Sequence, residues 1–257
     1  MKVVCCQINI DWEDRQSNFA RVRALIDKLR PSRNSLLILP EMFSSGFSMN
    51  VEAIHEQSPS KTEAFLGAAA RLHEINIIAG LVTRGEDGKG RNEAVIFNTE
   101  GKAIRRYAKI HPFTISGEAE HYTGGDTIVT YQWQGFTVAP FICYDLRFPE
   151  VFRAAVRRGA QLFVVIANWP SKREQHWVTL LQARAIENQA YVIGVNRVGT
   201  DPRHNYSGRS LIIDPHGNII VDGGREETVL VADLDLEKVV QWRREFPALQ
   251  DMRSVVG

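Results

Sequence analysis

Glu41, Lys109 and Cys143 offer a carboxylate, an ammonium and a thiol, each at the end of an apolar run. Their chemical capacities are complementary. A thiol attacks a carbonyl well only as the thiolate, so Cys143 needs a base to take its proton and a cation to steady the anion; Glu41 and Lys109 are candidates for those jobs. The same ammonium, with the backbone N–H of Tyr144, would hold the oxyanion of a tetrahedral intermediate. The competing reading is structural. In it, Glu41 and Lys109 are an ion pair closing a sheet edge, and Cys143 is a small buried hydrophobe, the usual fate of a free cysteine. Spacing does not decide between the two, because the three residues are far apart in the chain.

The elements that must deliver these side chains can be read from the pattern. Thr137 to Ile142 predicts a buried strand, and Pro149 suits the first position of a helix, where its missing N–H costs nothing. Cys143 would then sit in a strand-to-helix elbow, with N–H groups beside it free to bind an oxyanion. Leu36-Leu37-Ile38-Leu39 predicts a strand buried on both faces, ending at Pro40-Glu41. Lys109 follows a hairpin of Asn92 to Asn98 and Lys102 to Tyr107, joined by Thr99-Glu100-Gly101.

Around them the chain alternates helices and strands. A strand over Lys2 to Ile10 precedes an amphipathic helix from Ser17 to Leu29; a helix from about Lys61 to Glu74 precedes a strand over Asn76 to Thr83. Thr114 to Asp126, rich in glycine, predicts an ordered loop. Strands Ile128 to Trp133 and Phe136 to Ile142 turn at Gln134-Gly135. The helix Pro149 to Arg158 feeds a strand over Gln161 to Ala167, and a helix from about Glu174 to Gln189 feeds one over Tyr191 to Asn196. A meander of Gly208 to Asp214, Ile219 to Asp222 and Thr228 to Asp233 leads to a helix, Asp235 to Phe246, and a tail. The expected fold class is α/β, a mixed sheet with helices outside and two sheets face to face.

Composition narrows the function. The 257 residues are 44% hydrophobic, which suits one globular domain over residues 1–257. A net charge of +1 gives no general field for nucleic acid or an acidic membrane, and points to a small-molecule partner. The N-terminal apolar run is too short for a signal peptide, and no segment is long enough to span a bilayer. Three cysteines suggest neither a disulfide framework nor a zinc site, so the expected compartment is a reducing cytoplasm. His55, His73, His111, His121, His176, His204 and His216 show no paired ligand spacing, so no metal is expected.

Three segments together, Leu39-Pro40-Glu41-Met42-Phe43, Tyr107-Ala108-Lys109-Ile110-His111-Pro112-Phe113 and Cys143-Tyr144-Asp145-Leu146-Arg147-Phe148-Pro149-Glu150, resemble the nitrilase, or carbon-nitrogen hydrolase, superfamily, over essentially the full length. The resemblance implies Glu41 as general base, Lys109 as oxyanion stabiliser and Cys143 as nucleophile. It also implies a second glutamate after the lysine, matching Glu118, with Glu120 as the neighbouring alternative. The fold implied is an α-β-β-α sandwich, two mixed sheets flanked by helices, pairing into a homodimer or higher homo-oligomer through the helices after Cys143 and after Trp169. No cofactor is implied.

Cys143-Tyr144-Asp145 resembles the amidase side of the superfamily rather than the Cys-Trp-Glu of true nitrilases. Ala167-Asn168-Trp169-Pro170, His176-Trp177, Ala183 to Tyr191 and Asn196-Arg197-Val198-Gly199 look most like the ω-amidase branch, which hydrolyses ω-amides of 2-oxo acids such as 2-oxoglutaramate. Such a substrate carries a distal carboxylate and calls for a cationic pocket, for which Arg147, Lys172 and Arg173 are candidates. Arg147 can equally be read as an anchor at the start of its helix, and Lys172 and Arg173 as solvated charges. Phe43 and Trp169 are candidate pocket walls, against core packing as the plainer reading. Rival functions are another small amide hydrolase, an N-carbamoyl amino acid hydrolase, and a catalytically silent scaffold on the same fold.

Overall fold

A computed structural model of the chain describes residues 1–56 and 60–253. The first half contains β1 (Lys2–Gln7), α1 (Arg15–Leu29), β2 (Leu36–Ile38), α2 (Val51–Ile54), α3 (Lys61–His73), β3 (Asn76–Arg84), β4 (Gly90–Phe97), β5 (Ala103–Ala108) and α4 (Glu118–His121). The second half contains β6 (Tyr131–Trp133), β7 (Phe136–Ile142), α5 (Pro149–Arg157), β8 (Leu162–Ala167), α6 (Glu174–Asn188) and β9 (Tyr191–Asn196). It closes with β10 (Val198–Thr200), β11 (Asn205–Ser207), β12 (Leu211–Ile213), β13 (Ile219–Asp222), β14 (Thr228–Asp233) and α7 (Leu236–Glu245).

Two six-stranded mixed sheets form, in the orders β14-β1-β2-β3-β4-β5 and β13-β12-β9-β8-β7-β6, with β10 and β11 as a separate ribbon. The two-residue period of a strand explains the layering. Val3 and Cys5 of β1 join Leu36, Ile38, Ile78, Ala94, Ile96 and Tyr107 in the core shared with the second sheet. Val4 and Cys6 point the other way, into a core with Leu37, Ile77, Val95 and Phe97 that Val22, Ile26, Leu66 and Ala70 of α1 and α3 cover. On the second sheet, β8 is buried along its whole length, and α6 packs Trp177, Leu181 and Ala185 at helical spacing onto β9 and β12. The result is an α-β-β-α sandwich.

Strand direction places the site. β1, β2 and β3 are parallel, and β5 runs with them because β4 reverses once and β5 reverses again. In the other sheet β7, β8 and β9 are parallel. The chain leaves β2, β5, β7 and β8 at their carboxyl ends, where sites gather in α/β folds.

Some boundaries differ from expectation for local reasons. β1 stops at Gln7, and Asn9 instead bridges to Val198. α1 starts before Ser17 because Asp14 caps it, its carboxylate accepting the Ser17 N–H at 3.1 Å. The strand expected from Gly208 begins only at Leu211, since Gly208 and Arg209 have φ of +66° and +54°, which an extended strand excludes. The segment expected as loop after Thr114 contains α4. Of the expected tail, residues 254–257 lie outside the described residues.

Candidate active site

Each charged side chain is fixed by its backbone before it meets its partners. Glu41 follows β2 through Pro40, and Met42 beside it has φ +46°. β3 passes so close that a Cβ on Gly80 would lie 2.5 Å from the Glu41 Cα, so only glycine fits there. Lys109 follows β5, its N–H donating to the Asn92 carbonyl at 2.8 Å. Cys143 opens a 3-10 turn, Cys143–Arg147, between β7 and α5, and has φ +47°, an uncommon conformation for a residue with a Cβ. Tyr144 is second in that turn, where the N–H has no carbonyl one turn back to bond. Pro149 then starts α5.

The structure brings Glu41, Lys109, Glu118 and Cys143 together. Glu41 and Glu118 are completely buried, Lys109 is 2% exposed and Cys143 9%. Lys109 Nζ lies 3.1 Å from Glu41 Oε1 and 3.0 and 2.8 Å from the two oxygens of Glu118. The second Glu41 oxygen accepts the Asn168 N–H at 2.7 Å. Phe113 N–H donates to Glu118 at 2.5 Å. Glu120, the alternative to Glu118, is exposed.

Burial, and then the Glu41 carboxylate, push the Cys143 thiol well above its ordinary pKa, with the Lys109 ammonium opposing them. The resting thiol is therefore neutral. For Lys109, burial alone would lower the pKa, but the carboxylates of Glu118 and Glu41 outweigh it and hold the ammonium above its usual range. The thiol donates to the Asn168 carbonyl at 3.9 Å, and the N–H of the same residue holds Glu41. The arrangement sets a neutral thiol beside a carboxylate, with an ammonium next to both, which suits activation of a nucleophile.

A pocket of about 380 Å³, its mouth included, opens over Cys143. Tyr144, Asn168 and Trp169 line it with the guanidinium-bearing Arg147 and Arg173. Arg147 lies over Trp169 at 4.8 Å, and Arg173 over Phe113 at 5.3 Å. Among the described residues, neither arginine makes an ion pair with a carboxylate. Lys172 is exposed and outside the lining.

Phe43 does not line the pocket. It is buried on the far side of the first sheet, stacked on Phe19 at 6.1 Å, because the turn at Met42 sends it toward α1. Phe47, four residues on, takes the wall position, with Lys109 Nζ 5.3 Å from its ring centre.

Several contributors escape sequence reading. Asn92 of β4 donates its amide to Glu41 and to Glu118. Asp145 is a clamp: its oxygens accept the Tyr107 hydroxyl at 2.8 Å, the Ile142 N–H at 3.1 Å and the His111 N–H at 3.0 Å. It thereby ties the elbow of Cys143 to both flanks of Lys109. His204, from the turn between β10 and β11, closes the pocket. Asn92 stands between Arg91 and Glu93 in the polar first half of β4, so no signal in the sequence singles it out.

Residues 2–244 match the Carbon-nitrogen hydrolase family. The chain belongs to it. As a carbon-nitrogen hydrolase, it is an enzyme acting on the C–N bonds of linear amides. It is 32% identical to the 2-oxoglutaramate amidase of Bacillus subtilis over 98% of this chain and 97% of that protein. It is 36% identical to the omega-amidase YafV of Yersinia enterocolitica over 98% of this chain and 96% of that one. Among solved structures, XC1258 of Xanthomonas campestris, a CN-hydrolase superfamily protein with an arsenic adduct in its active site, superposes with a TM-score of 0.93 at 34% identity, covering 100% of this chain and 98% of that one. The NitN amidase of Nesterenkonia sp. AN1 superposes with a TM-score of 0.85 at 26% identity, covering 98% and 96% of the two chains.

Proposed function

We propose that this carbon-nitrogen hydrolase is an ω-amidase, which converts the terminal amide of small 2-oxo dicarboxylic acid monoamides, such as 2-oxoglutaramate, to the dicarboxylate and ammonia. The observation that carries it is Cys143 at the floor of a pocket that also presents Arg147 and Arg173, with Glu41, Lys109 and Glu118 buried beside the thiol. The amidases of B. subtilis and Y. enterocolitica support the substrate class.

The chemistry follows from the geometry. Glu41 takes the thiol proton as sulfur attacks the amide carbon, so thiolate forms only as it is consumed. The carbonyl oxygen, now an oxyanion, is held by Lys109 and the Tyr144 N–H. Glu41 returns the proton to the nitrogen, the C–N bond breaks and ammonia leaves a thioester on Cys143. Water, deprotonated by Glu41, attacks the thioester; the carboxylate product leaves and sulfur recovers its proton. Glu118 holds Lys109 in place throughout. The distal carboxylate of the substrate is received by Arg147 and Arg173, whose forked N–H groups match it, while Phe47, Phe113 and Trp169 flank the acyl chain.

The same reading makes the chain one catalytic domain and a homodimer in the cytoplasm, paired through α5 and α6. Ile186 of α6, 56% exposed, is apolar surface that such pairing would cover. Light scattering of the purified protein tests the dimer.

Ammonia release from 2-oxoglutaramate and 2-oxosuccinamate, with carbon dioxide measured alongside, tests the substrate class. Ammonia alone is expected. Carbon dioxide together with ammonia from N-carbamoyl amino acids, and no turnover of the 2-oxo amides, would replace this substrate with the carbamoyl class.

A further inference from the structure

Asn92 touches both carboxylates of the site with its side chain and the backbone of Lys109 with its carbonyl. Its Nδ2 lies 2.7 Å from Glu41 Oε1 and 3.0 Å from Glu118 Oε1, the same two oxygens that Lys109 Nζ approaches at 3.1 and 3.0 Å. The four groups close a ring in which two donors alternate with two acceptors. Asn92 is 2% exposed, and its backbone carbonyl also receives the Lys109 N–H. Its Oδ1 has no partner among the described residues. Turning the amide over would set that oxygen against two carboxylates, so the orientation is fixed.

The ring answers an electrostatic problem. Two buried carboxylates with one ammonium leave a surplus negative charge, and like charges in a poorly solvated site draw a proton onto one of them. A proton on Glu41 would remove the base. A second cation would prevent this, but would also weaken Glu41 as a base. An amide gives each carboxylate one N–H and adds no charge.

We propose that Asn92 is a positioning residue that keeps Glu41 ionised and aimed, by dividing its two amide protons between Glu41 and Glu118. The inference rests on the proposed function only for Glu41 as the base that activates Cys143. Other charged or titratable groups around Glu41 are Lys109 after β5, Glu118 on α4, Cys143 in the elbow, Tyr122 after α4 and Tyr206 on β11. Tyr122 and Tyr206 are held by Ser48 and Asp201, and burial raises both beyond the acidic range.

The test is the pH dependence of Cys143 alkylation by iodoacetamide, followed by mass spectrometry, which needs no knowledge of the substrate. In the wild type the rate should fall at acid pH as Glu41 takes a proton. Removing a hydrogen bond to the charged form of a carboxylate favours its protonated form, so in Asn92→Ala that fall should set in at a higher pH. In Asn92→Ser, which keeps a single donor, it should move less. Circular dichroism confirms folding; should Asn92→Ala not fold, the upward shift in Asn92→Ser decides. An unchanged inflection in a folded variant overturns the role of Asn92, whatever its effect on turnover. A wild-type profile with no acidic inflection overturns it too, by removing Glu41 as the base. Inactivity toward 2-oxo amides with the shift intact would discard the substrate and keep Asn92.

Discussion

Lys109 is held by two carboxylates, at 3.1 Å from Glu41 and 2.8 Å from Glu118, and both are completely buried. Lys109→Met should therefore act twice. Loss of an oxyanion donor should lower kcat by about 10²–10³-fold. Leaving two carboxylates face to face should destabilise the fold by about 3–5 kcal/mol, read as a lower urea midpoint. The pH sign follows from the raised Lys109 pKa. Its contribution to stability is complete below the unfolded value and is lost only as pH rises through the still higher folded value. No alkaline limb of the rate profile below about pH 10 should belong to it. Glu41 and Cys143 are legible as candidates because each follows a buried apolar strand, whereas Lys109 follows β5 with its two arginines, and the family resemblance is what ranks it and adds Glu118. Asn92 is not legible, since its partners stand 51 and 26 residues away. Phe43 and Phe47 cannot be ranked from sequence either; one left-handed residue, Met42, sends the first into the outer core.

At the scale of elements, the site depends on holding the Cys143 elbow against the end of β5. Asp145 does this with bonds to Tyr107, His111 and Ile142. Asp145→Ala would leave those donors without their acceptor, at about 1–3 kcal/mol for each buried one. The urea midpoint should drop sharply, and turnover should fall even where the variant stays folded, because the elbow loses its tie to Lys109. Gly80→Ala should likewise push β3 away from Glu41, whose Cα lies 2.5 Å from the new methyl position; the expected reading is a lower melting temperature together with a lower kcat. Long apolar strands and capped helices are legible at this scale. The β10–β11 ribbon is not: its strands have three residues each, too few for a two-residue period to stand out. Yet its turn supplies His204 to the pocket.

At the scale of the molecule, two sheets must meet with their carboxyl strand ends aligned, because Glu41 and Lys109 come from one and Cys143 from the other. Helix-strand alternation makes the sandwich class legible, but the strand order across each sheet depends on pairings between distant segments, as when β14 joins β1. Burial of a thiol on each face of β1 has a consequence for alkaline pH. Burial raises Cys5 well above its ordinary value and Cys6 to about 12. Between an unfolded thiol pKa of about 8.5 and the folded values, the native state binds more protons than the unfolded one, so stability falls by about 1.4 kcal/mol per pH unit for each thiol. The melting temperature should decline above that pH, and Cys6→Val should flatten the decline. A slope identical to the wild type would show that the thiol is not held protonated. The measurement that bears most directly on the whole account is rapid-quench intact-mass spectrometry of the enzyme turning over 2-oxoglutaramate, run with ammonia detection and with Cys143→Ala beside it. The expected result is an acyl adduct mapped to Cys143 that decays as substrate is exhausted, with neither adduct nor ammonia from the variant. Ammonia released by Cys143→Ala at the wild-type rate, or an adduct mapped to another residue, would contradict it.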